Sequence, residues 1–263
     1  MPHPAPDAAA ASANSAPPPL EAENLTLAYG SFVIMRDLTF RIEDGEIFII
    51  MGGSGSGKST LLKHLMGLLT PSEGIVRFEG EDLSDSDVHD RMLRRMGVLY
   101  QRGALWSSMT LAENLALPLQ EYTDLTADDI QRVISLKLAL VGLSGFESFY
   151  PHEISGGMQK RAALARAIAL DPDVLFFDEP SSGLDPVSAR RLDDLILQLR
   201  DSLGTTIVVV THDLASIFAI ADRALFLDIE TKTMSALGPP DDLRDHPPND
   251  RVYHFLTRTT DDS

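Results

Sequence analysis

One stretch, Met51-Gly52-Gly53-Ser54-Gly55-Ser56-Gly57-Lys58-Ser59-Thr60, constrains this chain more than any other. It follows an apolar run, Ile47 to Ile50, that reads as a buried strand. It precedes Leu61 to Leu69, whose apolar residues at 61, 62, 65, 66 and 69 fit one face of a helix. Strand, glycine loop and helix form the context in which a G-x-x-x-x-G-K-[ST] pattern holds phosphate. Glycines let the backbone curl until successive N–H groups point at one anion, and the positive end of the following helix faces the same place. Gly52, Gly53, Ser54, Gly55, Ser56 and Gly57 are the expected cradle, running on into Thr60. Lys58 would carry a mobile charge to the β- and γ-phosphates, and the Ser59 hydroxyl is a candidate ligand of Mg²⁺. A mere surface turn requires neither Lys58 nor the flanking elements, so the stretch predicts binding of a nucleoside triphosphate.

The rest of the chain supplies a frame for that loop. Val174 to Pro180, Thr205 to Asp213 and Ala224 to Asp228 read as buried strands, and Ala189 to Leu199 as a helix. Apolar strands alternating with helices predict an α/β parallel sheet covered on both faces. Ahead of the loop, Glu23 to Tyr29, Phe32 to Met35 and Leu38 to Ile42 alternate like antiparallel strands, and Asp44-Gly45 marks a turn. Ile75 to Gly80 and Val98 to Gln101 are further short strands. From Thr110 to Ala169 helical periodicity dominates, broken at Pro118, Gly142 and Tyr150-Pro151, which predicts a helical insertion over about residues 102–170. The expected organisation is a disordered Ala/Pro-rich tail at 1–20, a nucleotide-binding domain at 21–240 and a C-terminal extension at 241–263.

In open α/β sheets ligands sit beyond the carboxyl ends of the strands. Here those ends carry the glycine loop, Gln101, Asp178-Glu179 and His212. Asp178 suits the Mg²⁺ shell, since that ion takes one or two carboxylates with waters and phosphates. Glu179, one residue on, can accept a proton from an attacking water. His212 can hydrogen-bond the γ-phosphate or hold Glu179 and the water in line. A second anion device follows from Ser155-Gly156-Gly157, where Ser155 is an expected N-cap for a helix from Gln159 to Ala169. One triphosphate does not need two such devices from one chain. Two chains on a two-fold axis do, each nucleotide lying between the glycine loop of one and the Ser-Gly-Gly of the other.

With these motifs in order, residues 21–240 resemble the ATP-binding subunits of ABC transporters. The resemblance implies a P-loop NTPase ABC cassette with a RecA-like core, an antiparallel β subdomain and a helical subdomain, binding ATP and Mg²⁺. It implies that Tyr29 stacks on adenine and that Gln101 senses Mg²⁺ and the γ-phosphate. By the same likeness Ser155-Gly156-Gly157 is the signature, Asp178 and Glu179 are the Walker B acids, Ser182 to Asp185 the D-loop and His212 the switch histidine. Catalysis would then rest on Glu179, His212, Gln101 and Lys58, with Ser59, Gln101 and Asp178 at the metal. In one departure, the usual signature glutamine is Met158, with Gln159 after it.

Two segments narrow the likeness. Gln101 to Thr110 followed by Glu113 to Leu119, and Tyr150 to Arg161, resemble the lipid-handling ATPases of the Mla (maintenance of lipid asymmetry) and Mce-associated transporters. That group implies three partners: a second copy of the chain, an MlaE-like integral membrane permease and an MCE-domain lipid-binding protein. An amino-acid or metal-ion importer ATPase would share every catalytic residue, and a soluble ABC ATPase for cofactor assembly remains open. Trp106 either lines a groove for a permease helix or packs in the helical insertion. The segment Arg251 to Leu256 either docks on a neighbouring ATPase or caps its own domain.

Composition bears on partners and location. The formal charge is −17, from 39 acidic and 22 basic residues, with no basic stripe, which argues against nucleic acid. Cysteine is absent, so disulfides and cysteine-ligated zinc are excluded. No run approaches the roughly 18 apolar residues of a membrane span, and the start of the chain does not read as a signal peptide. The expected location is the cytoplasmic face of the inner membrane, held there through a protein partner.

Overall fold

The computed structural model describes residues 16–101 and 103–259. Two long strands, β1 (Leu20–Tyr29) and β2 (Phe32–Ile42), pair as an antiparallel hairpin before β3 (Ile47–Gly52) enters the glycine loop and α1 (Lys58–Leu65) leaves it. Next come β4 (Glu73–Phe78), β5 (Glu81–Asp82), α2 (Ser86–Arg95) and β6 (Met96–Leu99). A helical block follows: α3 (Leu111–Tyr122), α4 (Ala127–Leu140), a 3₁₀ turn at Pro151–Glu153 and α5 (Gly156–Ala167). The chain then returns through β7 (Val174–Asp178), α6 (Pro186–Leu203), β8 (Thr206–Val210), α7 (Leu214–Ile220) and β9 (Arg223–Asp228). It ends in β10 (Thr233–Gly238), α8 (Pro240–Asp245) and α9 (Asp250–Thr257).

The strands form two sheets. One is antiparallel in the order β2-β1-β4-β5. The other runs β10-β9-β3-β8-β7-β6, parallel from β9 to β6, with β10 antiparallel at one edge. The period-two geometry of a strand splits its side chains between two cores. Ile47, Ile49, Phe177 and Val209 face the helices, while Phe48, Ile50, Phe176 and Val208 face α1, α2 and the antiparallel sheet. A one-residue slip of β3 would exchange these sets. The parallel register therefore aims the strand ends, and with them the polar groups, at one edge of the sheet.

Several local expectations are corrected. Phe32 to Met35 and Leu38 to Ile42 are one strand, β2, kinked at Asp37 (φ 54°) rather than broken. Pro118 lies inside α3. The lost N–H is one hydrogen bond, and the buried stripe of Leu111, Leu115 and Leu119 keeps the helix together. The helix at the second anion device begins at Gly156, not at Gln159, because first-turn residues need no intrahelical acceptor for their N–H groups. Among unforeseen elements is α2. Asp85 caps it, accepting from Asp87 N (2.8 Å), and it buries Val88 and Met92. The tail expected at 1–20 falls mostly outside the described residues, and Leu20 already belongs to β1. Trp106 is 60% exposed, which overturns core packing. Arg251 to Leu256 packs on its own domain, with Val252 and Leu256 buried. No helix among the described residues is long and apolar enough to cross a membrane.

Candidate functional site

The glycine loop bends where only glycine fits. Gly52 has φ 149°, and a Cβ there would stand 2.6 Å from the Leu227 carbonyl oxygen and 2.8 Å from Ser56 Oγ. Gly57, the residue before α1, has φ 83°, and its Cβ would meet Ile34 Cγ2 at 2.7 Å. The loop therefore needs bare backbone on both of these sides, as a cradle for an anion does. Ser56 Oγ is buried and has no hydrogen-bond partner among the described residues. Lys58 Nζ reaches back over the loop and donates to the carbonyls of Gly52 (3.0 Å) and Gly53 (2.9 Å). Burial lowers the Lys58 pKa from its ordinary value, while the negative charges of Glu179 and Asp178 oppose that shift.

The strand ends bring the acids to this loop. Asp178, last in β7, accepts a hydrogen bond from Ser59 Oγ at 2.9 Å. Glu179 continues the ladder through its N–H to Val210 O (2.8 Å), but its backbone turns left-handed (φ 50°). A non-glycine residue in that region costs about 1 kcal/mol or more, and such strain gathers at functional positions. The turn separates its side chain from that of Asp178. His212, just beyond β8, donates from Nδ1 to Glu179 Oε1 at 2.7 Å. A carboxylate only accepts, so Nδ1 carries the proton. This contact is the geometry that the expected holding of Glu179 requires.

A cleft of about 1080 Å³ gathers these groups. Tyr29, Gly52 to Gly55, Gly57 to Thr60, Glu179 and His212 line it. Other expected residues stand apart. Gln101 is not part of the cleft lining and donates its amide to Ser182 Oγ (3.3 Å). Asp185 caps α6, accepting from Val187 N, Ser188 N (3.0 Å each) and Ser188 Oγ (2.5 Å), and its acidity rises through these bonds. Ser155 accepts from Met158 N (3.3 Å) as the N-cap of α5, and it and Gly156 are exposed. Ser155 and Gly157 line a separate small cavity with Arg161, Ser188 and Arg191, outside this chain's own cleft.

Some contacts were not legible beforehand. Gln159 turns inward and donates to Pro151 O (2.8 Å) and Ile154 O (3.3 Å), bracing the turn before the signature. Lys160 is buried and hydrogen-bonds the Gln101 carbonyl, which ties α5 to the strand end of β6. Burial lowers its pKa, and Asp178 and Glu179 oppose this. Phe32, Ile34, Leu214, His254, Phe255 and Arg258 also line the large cleft. The apolar spacing of Val252, Phe255 and Leu256 is the signal that marks α9 as packed, but not against what.

Comparison with known proteins agrees with this geometry. The ABC transporter family profile matches residues 35–182. The chain is 43% identical over 211 residues to "Intermembrane phospholipid transport system ATP-binding protein MlaF" of Haemophilus influenzae, covering 79% of this chain and 80% of that one. It is 39% identical over 245 residues to the Escherichia coli K12 protein of the same name, covering 92% and 90%. Its fold matches a dimeric post-hydrolysis structure of the ATP-binding cassette MJ0796 bound to ADP and Pi, with a TM-score of 0.75, 29% identity and coverage of 84% and 98%. The chain with this glycine loop, strand-end acids and histidine therefore belongs to the ABC transporter family, as one of its ATP-binding cassettes.

Proposed function

We propose that this chain is the ATP-binding and hydrolysing subunit of an ABC transporter that moves phospholipid between membranes through a partner permease. The observation that carries the catalytic half is the Glu179–His212 pair, 2.7 Å apart, in one cleft with the glycine loop and Lys58. The phospholipid transport system in the names of the two relatives supports lipid as cargo, over amino acids, metal ions or cofactor assembly.

The backbone of Gly52 to Gly57 and the N-terminus of α1 would hold the phosphates, with Lys58 neutralising them. Tyr29, exposed at the rim, would stack on the base. Ser59 Oγ and the Asp178 carboxylate are hard oxygen donors already adjacent, which fits Mg²⁺. That ion, when bound, would offset charge on the phosphate oxygens. Glu179 orients the attacking water and takes its proton. The water oxygen bonds to the γ-phosphorus while the bond from that phosphorus to the β–γ bridging oxygen breaks. His212 holds the Glu179 carboxylate in place throughout. Gln101 joins the metal only by leaving Ser182, which would let it register the nucleotide.

Because Ser155 and Gly157 line a separate cavity and not the chain's own cleft, a second copy would bring its signature to the nucleotide, and the ATP sandwich is a homodimer. Differential affinity of ATP for the closed pair drives the motion. The permease, MlaE-like, and an MCE-domain protein would complete the assembly on the cytoplasmic face of the inner membrane, with this chain peripheral. Glu179→Gln preserves the shape and the acceptor for His212 but not the base. It should bind ATP normally and turn over about 10²–10⁴-fold more slowly. Wild-type steady-state hydrolysis in that variant would refute the catalytic assignment. Reconstitution of the complex with its co-purified permease should give ATP-dependent phospholipid transfer between vesicles.

A further inference from the structure

The C-terminal helix enters the nucleotide cleft from the same chain. Asn249 caps α9, accepting from Val252 N at 3.0 Å, and Val252 and Leu256 sink into the core. Phe255 meets Phe226 of β9 edge-on, ring centroids 5.2 Å apart. Arg251 pairs with Asp228 at the end of β9 and with Glu230 (3.3 Å). The helix is therefore fastened to the strand beside β3. It ends at Arg258, whose backbone is left-handed (φ 53°), so the chain doubles back there. Thr259 Oγ1 then lies 2.9 Å from His254 Nδ1 and 2.8 Å from Thr257 Oγ1, which holds the turn.

That turn sets Arg258 between two cavities. It lines the large cleft with Lys58, Glu179 and His212. It also lines the neighbouring cavity with Ser181, Leu184 and Asp213, the segments that follow Glu179 and His212. On the proposed role of Glu179 as the base for the attacking water, those two strand ends would lie at the terminal phosphate. Of the carboxylates lining that cavity, Asp193 accepts from Ser216 Oγ (3.0 Å) and Asp213 from Ala215 N (3.0 Å), and neither forms an ion pair with Arg258. Arg258 is exposed and makes no ion pair among the described residues. Beside a cleft that would hold a polyphosphate, a guanidinium that meets no carboxylate among the described residues has an evident counter-ion in the ligand.

We propose that α9 is a same-chain wall of the nucleotide site and that Arg258 binds the terminal phosphate of ATP. The inference rests on the ATP reading of the cleft. It makes α9 a discriminator between triphosphate and diphosphate, since only the former extends to Arg258.

The test uses the full-length chain and measures dissociation constants for MgADP and for a Mg-bound ATP analogue with an imido β–γ bridge. Arg258→Ala should weaken the triphosphate about tenfold or more and the diphosphate less than about twofold. Arg258→Lys, which keeps the charge but not the fork, should fall between. Lys58→Ala should weaken both ligands. Equal effects of Arg258→Ala on both ligands, or none, would overturn the role of α9 while leaving the cleft assignment standing. Failure of Lys58→Ala to weaken either would instead sink the ATP reading. The Arg258 effect should be the same at low and high protein concentration. An effect seen only at high concentration would show that Arg258 acts on another copy.

Discussion

Gly57→Ala separates two penalties that the glycine loop otherwise hides. The first is conformational, since an alanine at φ 83° adopts a left-handed backbone, at about 1–2 kcal/mol. The second is steric. The new Cβ would stand 2.7 Å from Ile34 Cγ2, where ordinary contact begins near 3.4 Å. Ile34 is β-branched and stiff, so relief must come from moving strand β2 or the loop. Overpacking of this kind costs about 1–3 kcal/mol, and because Ile34 is only half-buried the lower half of that range applies. The sum, about 2–4 kcal/mol, is a large part of the 5–15 kcal/mol that typically holds a domain together. Urea unfolding of wild type, Gly57→Ala, Ile34→Ala and the double variant forms a closed cycle. Ile34→Ala removes Cγ2, so the double variant should recover about 1–2 kcal/mol relative to the sum of the singles. The backbone part should remain. Additive energies, or a Gly57→Ala variant within about 0.5 kcal/mol of wild type, would refute the reasoning.

Two further outcomes follow from buried polar groups. Burial pushes the Asp193 carboxyl up to about 6, against the hydrogen bond from Ser216 and with the Asp213 charge adding to the rise. The folded chain then holds this proton more tightly than the unfolded one, so its contribution to stability is lost as pH rises through 6. Denaturation of wild type and Asp193→Asn should therefore show the variant gaining most, relative to wild type, at pH 8 and least at pH 5. Asn114 is fully buried and ties the loop before α3, accepting from Trp106 N (2.8 Å) and donating to Thr110 O (2.9 Å) and Trp106 O (3.1 Å). Asn114→Ala should cost about 2–4 kcal/mol by leaving buried backbone groups unpaired, and amide exchange at Trp106 should accelerate in step.

Local patterns announced the site more completely than the fold. The phosphate loop is contiguous, and its glycines, lysine and flanking apolar runs each carry their meaning within a few residues. Asp178-Glu179 and His212 were legible because both end apolar strands, and strand ends point one way in a parallel sheet. α2 was not, because it buries only Val88 and Met92 among polar neighbours and its start shows only when Asp85 is seen capping the helix. Pro118 misled because a proline marks a break only where the surrounding stripe cannot compensate.

By itself the sequence pointed to a nucleotide-binding cassette, since that chemistry is written in residue types at short spacings. Only the tertiary structure decided which oxygen His212 holds, that Gln101 faces Ser182, that Gln159 turns inward, and that α9 returns to the cleft. Those facts depend on side-chain direction and on contacts between segments up to some 200 positions apart (Lys58 and Arg258 share one cleft). Periodicity says which face of an element is buried. Packing chooses what it is buried against.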